Sequence, residues 1–332
     1  MDYLDKEKLK RLRSVFERNF RLTRLYSALL EKCPALITEE MINALTSDGG
    51  IDIKDAIIAL LSEAFGLDNS ISEDRLLVRD YLYPSVRILD TKRYTSNPYY
   101  KNIRIENIKD GRWEFKTETY PAYRAMICDD LIINEDLSEV APLGFFTEDF
   151  SFPAVLEDGN EWMTLTPVDL DTCDEAIDAA SGKVVTFGLG LGYYTYMVSM
   201  KENVESVTVV EKSEKIIELF RKHILPQFPS KDKIEIVSCD AFEYAKDYMP
   251  KEKFDHAFVD TWRDASDGAP MYEKMRELER LSPDTEFRYW IERFLISRLR
   301  AIKYEELTVL LSLKDGTEPK SYEEFLKALT EI

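Results

Sequence analysis

The chain has 332 residues, 45% apolar and 12% aromatic, enough to bury one large core or two modest ones, which excludes disorder as its dominant state. Its 63 Asp+Glu against 44 Lys+Arg leave a formal charge of −19, a surface that repels phosphate backbones and disfavours a general nucleic-acid binder. Four cysteines (Cys33, Cys128, Cys173 and Cys239) lie far apart with no CxxC pair, so neither a disulfide framework nor a metal cluster is indicated.

The amino terminus, MDYLDKEKLKRLR, alternates charge at once and has no apolar core or small-residue cleavage site, so a cytoplasmic address is expected. Residues 5–32 place Leu9, Leu12, Val15, Phe16, Phe20, Leu25, Tyr26, Leu29 and Leu30 near helical spacing, with Cys33 and Pro34 as a stop. The polar face of this helix is basic, nine Lys/Arg against five Asp/Glu over residues 1–32. It suits docking on the acidic body of its own chain or on a twin subunit, which makes a homodimer an expectation; RNA contact is the rarer alternative.

Helical patterns follow over 38–46 and 53–66, the second ending at Gly66 as a carboxy-terminal cap would. Period-two alternation in Ile103-Arg104-Ile105-Glu106 and Trp113-Glu114-Phe115-Lys116, with Lys109-Asp110-Gly111 as turn chemistry, predicts a β-hairpin. Pro121, Pro142, Gly144, Pro153 and Gly159 punctuate a small β-rich region reaching to about residue 163. Thr166-Pro167-Val168-Asp169 carries a capping hydroxyl, a proline at the first helical position and an acid two residues later, which predicts a helix over 167–180.

From residue 183 short apolar strands (KVVTF, SVTVV, IEIVS, FDHAFV) alternate with helical stretches, the pattern of a parallel sheet covered by helices. Beyond Asp264 the chain reads as helices over 270–282 and 285–302, with 307–313 an ambiguous apolar run. The uncharged run 184–200 approaches membrane-spanning length, but its three glycines and three tyrosines suit a ligand loop instead of a membrane span. The expected division is 1–160, helical and β-rich, on the substrate side or in a dimer contact, and 161–332, the parallel-sheet domain with a helical extension.

The first of these strands runs into Gly188-Leu189-Gly190-Leu191-Gly192-Tyr193-Tyr194. Glycines there let the backbone turn tightly and approach a ligand, while the following helix offers unpaired N–H groups. The next strand ends in Glu211, where a carboxylate can accept from both hydroxyls of a ribose. The third ends in Ser238-Cys239-Asp240-Ala241-Phe242 and the fourth in Asp260, followed by Thr261-Trp262-Arg263-Asp264. Glycine or carboxylate thus stands at four successive strand ends, on the edge where open parallel sheets bind ligands.

Over about residues 160–275 this pattern resembles the class I S-adenosylmethionine-dependent methyltransferase family, and implies a Rossmann-like α/β sheet preceded by the helical and β-rich region. The resemblance matches 187–192 to the glycine-rich first motif, Glu211 to the ribose-binding acid, Asp240-Ala241-Phe242 to the adenine-contacting segment and Asp260 to the residue beside the transferable group. The helix opened by Thr166 is similar to the one that closes the family's cofactor pocket. S-Adenosyl-L-methionine is therefore the expected cofactor, with Thr166, Phe187, Gly188, Leu189, Gly190, Gly192, Tyr193, Glu211, Lys212, Asp240, Ala241, Phe242 and Asp260 as the binding set and no metal. Asp260 is the candidate catalytic residue, to orient or deprotonate an acceptor.

Two departures stand out. Many members have an acid two residues before the first motif glycine, where this chain has Thr186, and the family usually completes its sheet with an antiparallel final hairpin that has no counterpart here. An NAD reading is disfavoured by Tyr193, a bulky residue where a dinucleotide fingerprint wants a small one.

The expected function is methyl transfer to an unidentified acceptor, a small molecule or protein in preference to nucleic acid. Alternatives are aminopropyl transfer, because polyamine synthases resemble the arrangement of a β-rich region, this fold and an Asp-rich segment such as 260–264, or a non-catalytic cofactor-binding role. Polyamine synthases usually carry an acid among the loop glycines, where this chain has only leucines. His223 and His256 read as structural; Tyr193, Tyr194 and Trp262 as core aromatics or as faces for a sulfonium. Asn97-Pro98-Tyr99-Tyr100 is similar to the Asn-Pro-Pro-Tyr motif of amino-group methyltransferases, but lacks its second proline and precedes the glycine loop, so a turn is expected.

Overall fold

The computed structural model describes residues 3–105, 108–313 and 317–332. The chain forms two compact units: unit 1 gathers 1–89, 122–147 and 293–332, and unit 2 gathers 90–121 and 148–292. The β-rich region and the parallel sheet fall together in unit 2, while the carboxy-terminal helices join the amino-terminal ones in unit 1.

In unit 1 the first helix, Tyr3–Lys32, buries Leu12 and Phe16 against Leu137, Leu307, Phe325 and Leu329. Its other end buries Leu22, Tyr26 and Leu29 against Ile42, Ile57 and Leu61. The basic face meets acids of its own unit, Arg18 with Glu73 at 2.6 Å and Arg21 with Asp74 at 2.6 Å, so the helix does dock on its own chain. Helix Ile53–Ala64 ends as expected, with Gly66 at φ +63° and its N–H donating to the Glu63 carbonyl. No helix among the described residues is long and apolar enough to cross a membrane.

Unit 2 holds a five-stranded sheet and a four-stranded one. The first consists of β1 (Gly182–Phe187), β2 (Val204–Glu211), β3 (Ile234–Ser238), β4 (His256–Val259) and β5 (Glu286–Tyr289), in the order β3-β2-β1-β4-β5, every neighbouring pair parallel. This is the expected Rossmann-like α/β sheet. Val184, Val185, Phe187, Val207, Val209 and Val259 are completely buried, as central strands covered on both faces require, and this is why they read as unbroken apolar runs.

The antiparallel sheet pairs Ile108–Asp110, Trp113–Tyr120, Phe150–Glu157 and Asn160–Thr164 in that order. The hairpin is present, but its first strand is 108–110 and its turn is Gly111-Arg112; residues 103–105 are irregular, and Glu106 lies outside the described residues.

Two helix expectations are corrected. The span 167–180 is two short helices, Pro167–Asp171 and Asp174–Ala179, parted at Thr172-Cys173. The span 285–302 begins as β5, with a helix only from Glu292 to Leu313 that absorbs the ambiguous run. Four residues of alternating Glu286-Phe287-Arg288-Tyr289 are too few to distinguish a strand from an amphipathic turn.

Candidate active site at the carboxyl edge of the parallel sheet

The register of the sheet brings the strand ends into one row. Gly188 N–H donates to the Val210 carbonyl, Cys239 N–H to the Glu211 carbonyl, and Asp260 N–H to the Phe187 carbonyl, at 2.9, 3.1 and 2.9 Å. Gly188 is obligatory, since at φ +98° an added Cβ would lie 1.9 Å from the carbonyl oxygen of Asp260. The glycine loop and the tip of β4 therefore touch through backbone.

Between them lies a cavity of about 30 Å³, lined by Asp169, Cys173, Thr186, Gly188, Tyr194 and Asp260 among others, with Trp290 and Met163 also on its wall. That volume holds a water or two, far below the several hundred Å³ of a nucleoside-sized pocket. Met163 lies over the loop, its sulfur 2.2 Å from where a Cβ at Gly190 would be, so the thioether occupies that space. An unbranched side chain with rotatable bonds leaves such a place at low cost.

Two carboxyl groups face this cavity and its lining contains no Lys, Arg or His. Burial pushes Asp260 up to about 8, with nearby Asp169 and Glu211 adding to the shift, and no side-chain hydrogen bond to Asp260 occurs among the described residues. Asp169 is pushed up to about 6 by burial, against the opposing hydrogen bonds of Thr166, whose N–H and hydroxyl both donate to its Oδ2 at 2.7 and 2.8 Å. The sequence offers Asp169 only as a helix-start acid; its place three residues after the capping Thr166 accounts for its bonds to that residue. Cys173, 4% exposed, is raised by burial and by Asp260.

Of the residues expected to bind cofactor, Gly188, Leu189, Tyr193 and Asp260 line the cavity, and Thr166 holds Asp169. Glu211, 9% exposed, accepts from Leu189 N–H at 3.2 Å and Ser213 N–H at 2.7 Å, tying the tip of β2 to the loop. Asp240 is exposed at the end of β3 and caps Phe242 and Glu243, beside the buried Ala241. The ring of Phe242 lies under the Lys274 ammonium at 3.8 Å. Phe187 is core, packed edge-on to Tyr244, and Lys212 is exposed. Gly192 begins helix Tyr193–Ser199 at φ +77°.

Asp264 caps helix Ala265–Glu279 and Trp262 stacks with Tyr289, so neither lines the cavity. The Asn97 segment is more than a turn. It forms helix Pro98–Asn102, capped by Asn97, whose side-chain amide also donates to the Tyr193 hydroxyl at 3.0 Å. The Tyr99 hydroxyl donates to the Leu191 carbonyl at 2.6 Å, and Asn102 donates to the Tyr196 hydroxyl at 2.8 Å.

Residues 176–278 match the spermine/spermidine synthase domain family. The match covers β1 to β4 of the Rossmann-like parallel sheet and the segment after it. Among solved structures, a provisionally assigned O-methyltransferase from Klebsiella pneumoniae is 16% identical, with a TM-score of 0.25, over 32% of this chain and 46% of that one. Precorrin 8w decarboxylase from Methanobacterium thermoautotrophicum is 19% identical, with a TM-score of 0.28, over 43% of this chain and 69% of that one. The chain thus spans less than half of the first neighbour, and at these scores neither bears on the reaction. No curated protein matches the chain.

Proposed function

We propose that unit 2 is a transferase for the alkyl group of an adenosyl sulfonium, methyl transfer from S-adenosyl-L-methionine being the primary reading. The observation that carries it is the row of Gly188, Glu211, Asp240 and Asp260 at adjoining strand ends, with the Asp260 carboxyl unpartnered at the cavity. The donor, when bound, supplies an electrophilic carbon on positively charged sulfur. Everything else asked of the protein is alignment, and a base if the acceptor carries a proton.

The residues present fit that task once Met163 withdraws from Gly190. Glu211 uses one hydrogen bond on each oxygen and keeps acceptor capacity for ribose hydroxyls. Asp260 holds its proton at neutral pH at rest. A cation seated in the cavity favours its ionised form and readies it to orient or deprotonate an acceptor.

Aminopropyl transfer is the second reading. The family match and the acid-lined cavity without a basic side chain favour it, since a decarboxylated donor brings an amine and no carboxylate. Against it, Leu189 and Leu191 are buried where polyamine synthases usually place an acid among the glycines. Isothermal titration with S-adenosylmethionine and with its decarboxylated form separates the two. Tighter binding of the first is expected, and preference for the second reverses the order. Screening small molecules and proteins as substrates identifies the acceptor.

A further inference from the structure

The cavity contains two groups that no described residue satisfies. Thr186, 2% exposed, stands on β1 where its hydroxyl has no hydrogen-bond partner among the described residues, and the Tyr194 phenol, on a side chain 7% exposed, has none either. Both line the same space as Asp169. Asp169 itself is half used: Oδ2 takes both Thr166 donors, which fixes the carboxyl, and Oδ1 receives no hydrogen bond from another described residue. Acceptors from three elements on one cavity, with no basic side chain in its lining, are the chemistry of a small ammonium site.

Resting on the transferase reading, we infer that Asp169 Oδ1, with the Thr186 hydroxyl, receives the primary ammonium group of the sulfonium donor. This is the α-amino group of S-adenosylmethionine or the terminal amine of its decarboxylated form. Asp169 thereby stands in for the acid absent at position 186. Asp260, at the tip of β4 against Gly188, remains for the acceptor side.

The test is isothermal titration of the full chain with S-adenosylhomocysteine, S-adenosylmethionine, its decarboxylated form and 5′-methylthioadenosine, which keeps nucleoside and sulfur but lacks the amine. Asp169→Asn should weaken the three amine-bearing ligands by about tenfold or more and leave methylthioadenosine unchanged, as loss of one charge-assisted hydrogen bond predicts. Thr186→Val, close in shape, should weaken the same three by a few fold. Melting curves verify that both variants fold. Equal effects on methylthioadenosine, or none on any ligand, overturn the inference and leave the transferase reading standing. If the unmodified protein binds none of the four, both fall. Among variants that pass, a loss shared by both sulfonium donors holds for either reaction.

Discussion

The Tyr99 hydroxyl donates to the Leu191 carbonyl at 2.6 Å, so the glycine loop is held by a short helix 92 residues earlier in the chain. Tyr99 is completely buried, and Tyr99→Phe leaves that carbonyl with a lost partner in a dry setting. The expected cost is about 1–3 kcal/mol in chemical denaturation, together with weaker donor binding. Unchanged stability would mean that the loop is held by its own backbone alone.

The folded protein keeps a proton on Asp260 that the unfolded chain releases near pH 4, because the folded value is raised to about 8. Stability therefore falls as pH rises between these values and levels off above them. Asp260→Asn removes that slope: its melting temperature should match the parent at pH 4 and exceed it at pH 8, by about 2–4 °C for each kcal/mol recovered. Transfer activity should be lost in the same variant. A parent that melts higher than the variant at pH 8 contradicts the burial of this carboxyl.

Donor affinity should rise as pH is raised from 6 to 8. A cationic occupant favours the ionised forms of Asp169 and Asp260, raised to about 6 and about 8, whereas burial holds Cys173 above this interval. Titrations in buffers of different ionisation enthalpy should record proton release on binding. No release at pH 7 would mean that the cation does not approach these acids.

How much of this was legible beforehand depended on the length of each signal. Strand runs such as Lys183-Val184-Val185-Thr186-Phe187, buried on both faces, announced β1, and glycine or acid at each strand end located the edge. Asp169 was legible only as a helix-start residue, since its approach to Asp260 is a matter of tertiary packing with no sequence period. Tyr99 and Asn97 were read as turn chemistry for the same reason: their partners, Leu191 and Tyr193, are remote in sequence. Strand β5 was missed because four residues carry too little periodicity.

Glu211→Ala should lower affinity for S-adenosylmethionine and for methylthioadenosine by at least tenfold each, since both carry the ribose. The loss also frees the Leu189 N–H from its acceptor, so a melting curve should accompany the titration. Undiminished affinity for either ligand would remove Glu211 from the nucleoside.

Met163 stands on the cavity wall and over Gly190, and its substitution changes access without touching an acid. Met163→Ala should bind donor as tightly as the parent or up to several-fold more tightly, with a faster association rate in stopped flow. Met163→Trp, too large to withdraw, should abolish binding. Equal rates in all three would show that Gly190 is uncovered by another route.

The interleaved make-up of the two units imposes a timetable on synthesis. Every residue of unit 2 has been made once Glu292 has, whereas unit 1 still lacks Leu307, Phe325 and Leu329, which pack on Leu12 and Phe16 of its first helix. Leu12 and Phe16 of that helix thus wait for most of their partners while residues 138–306 are made, and a nascent chain stalled before residue 307 leaves them for chaperones to hold.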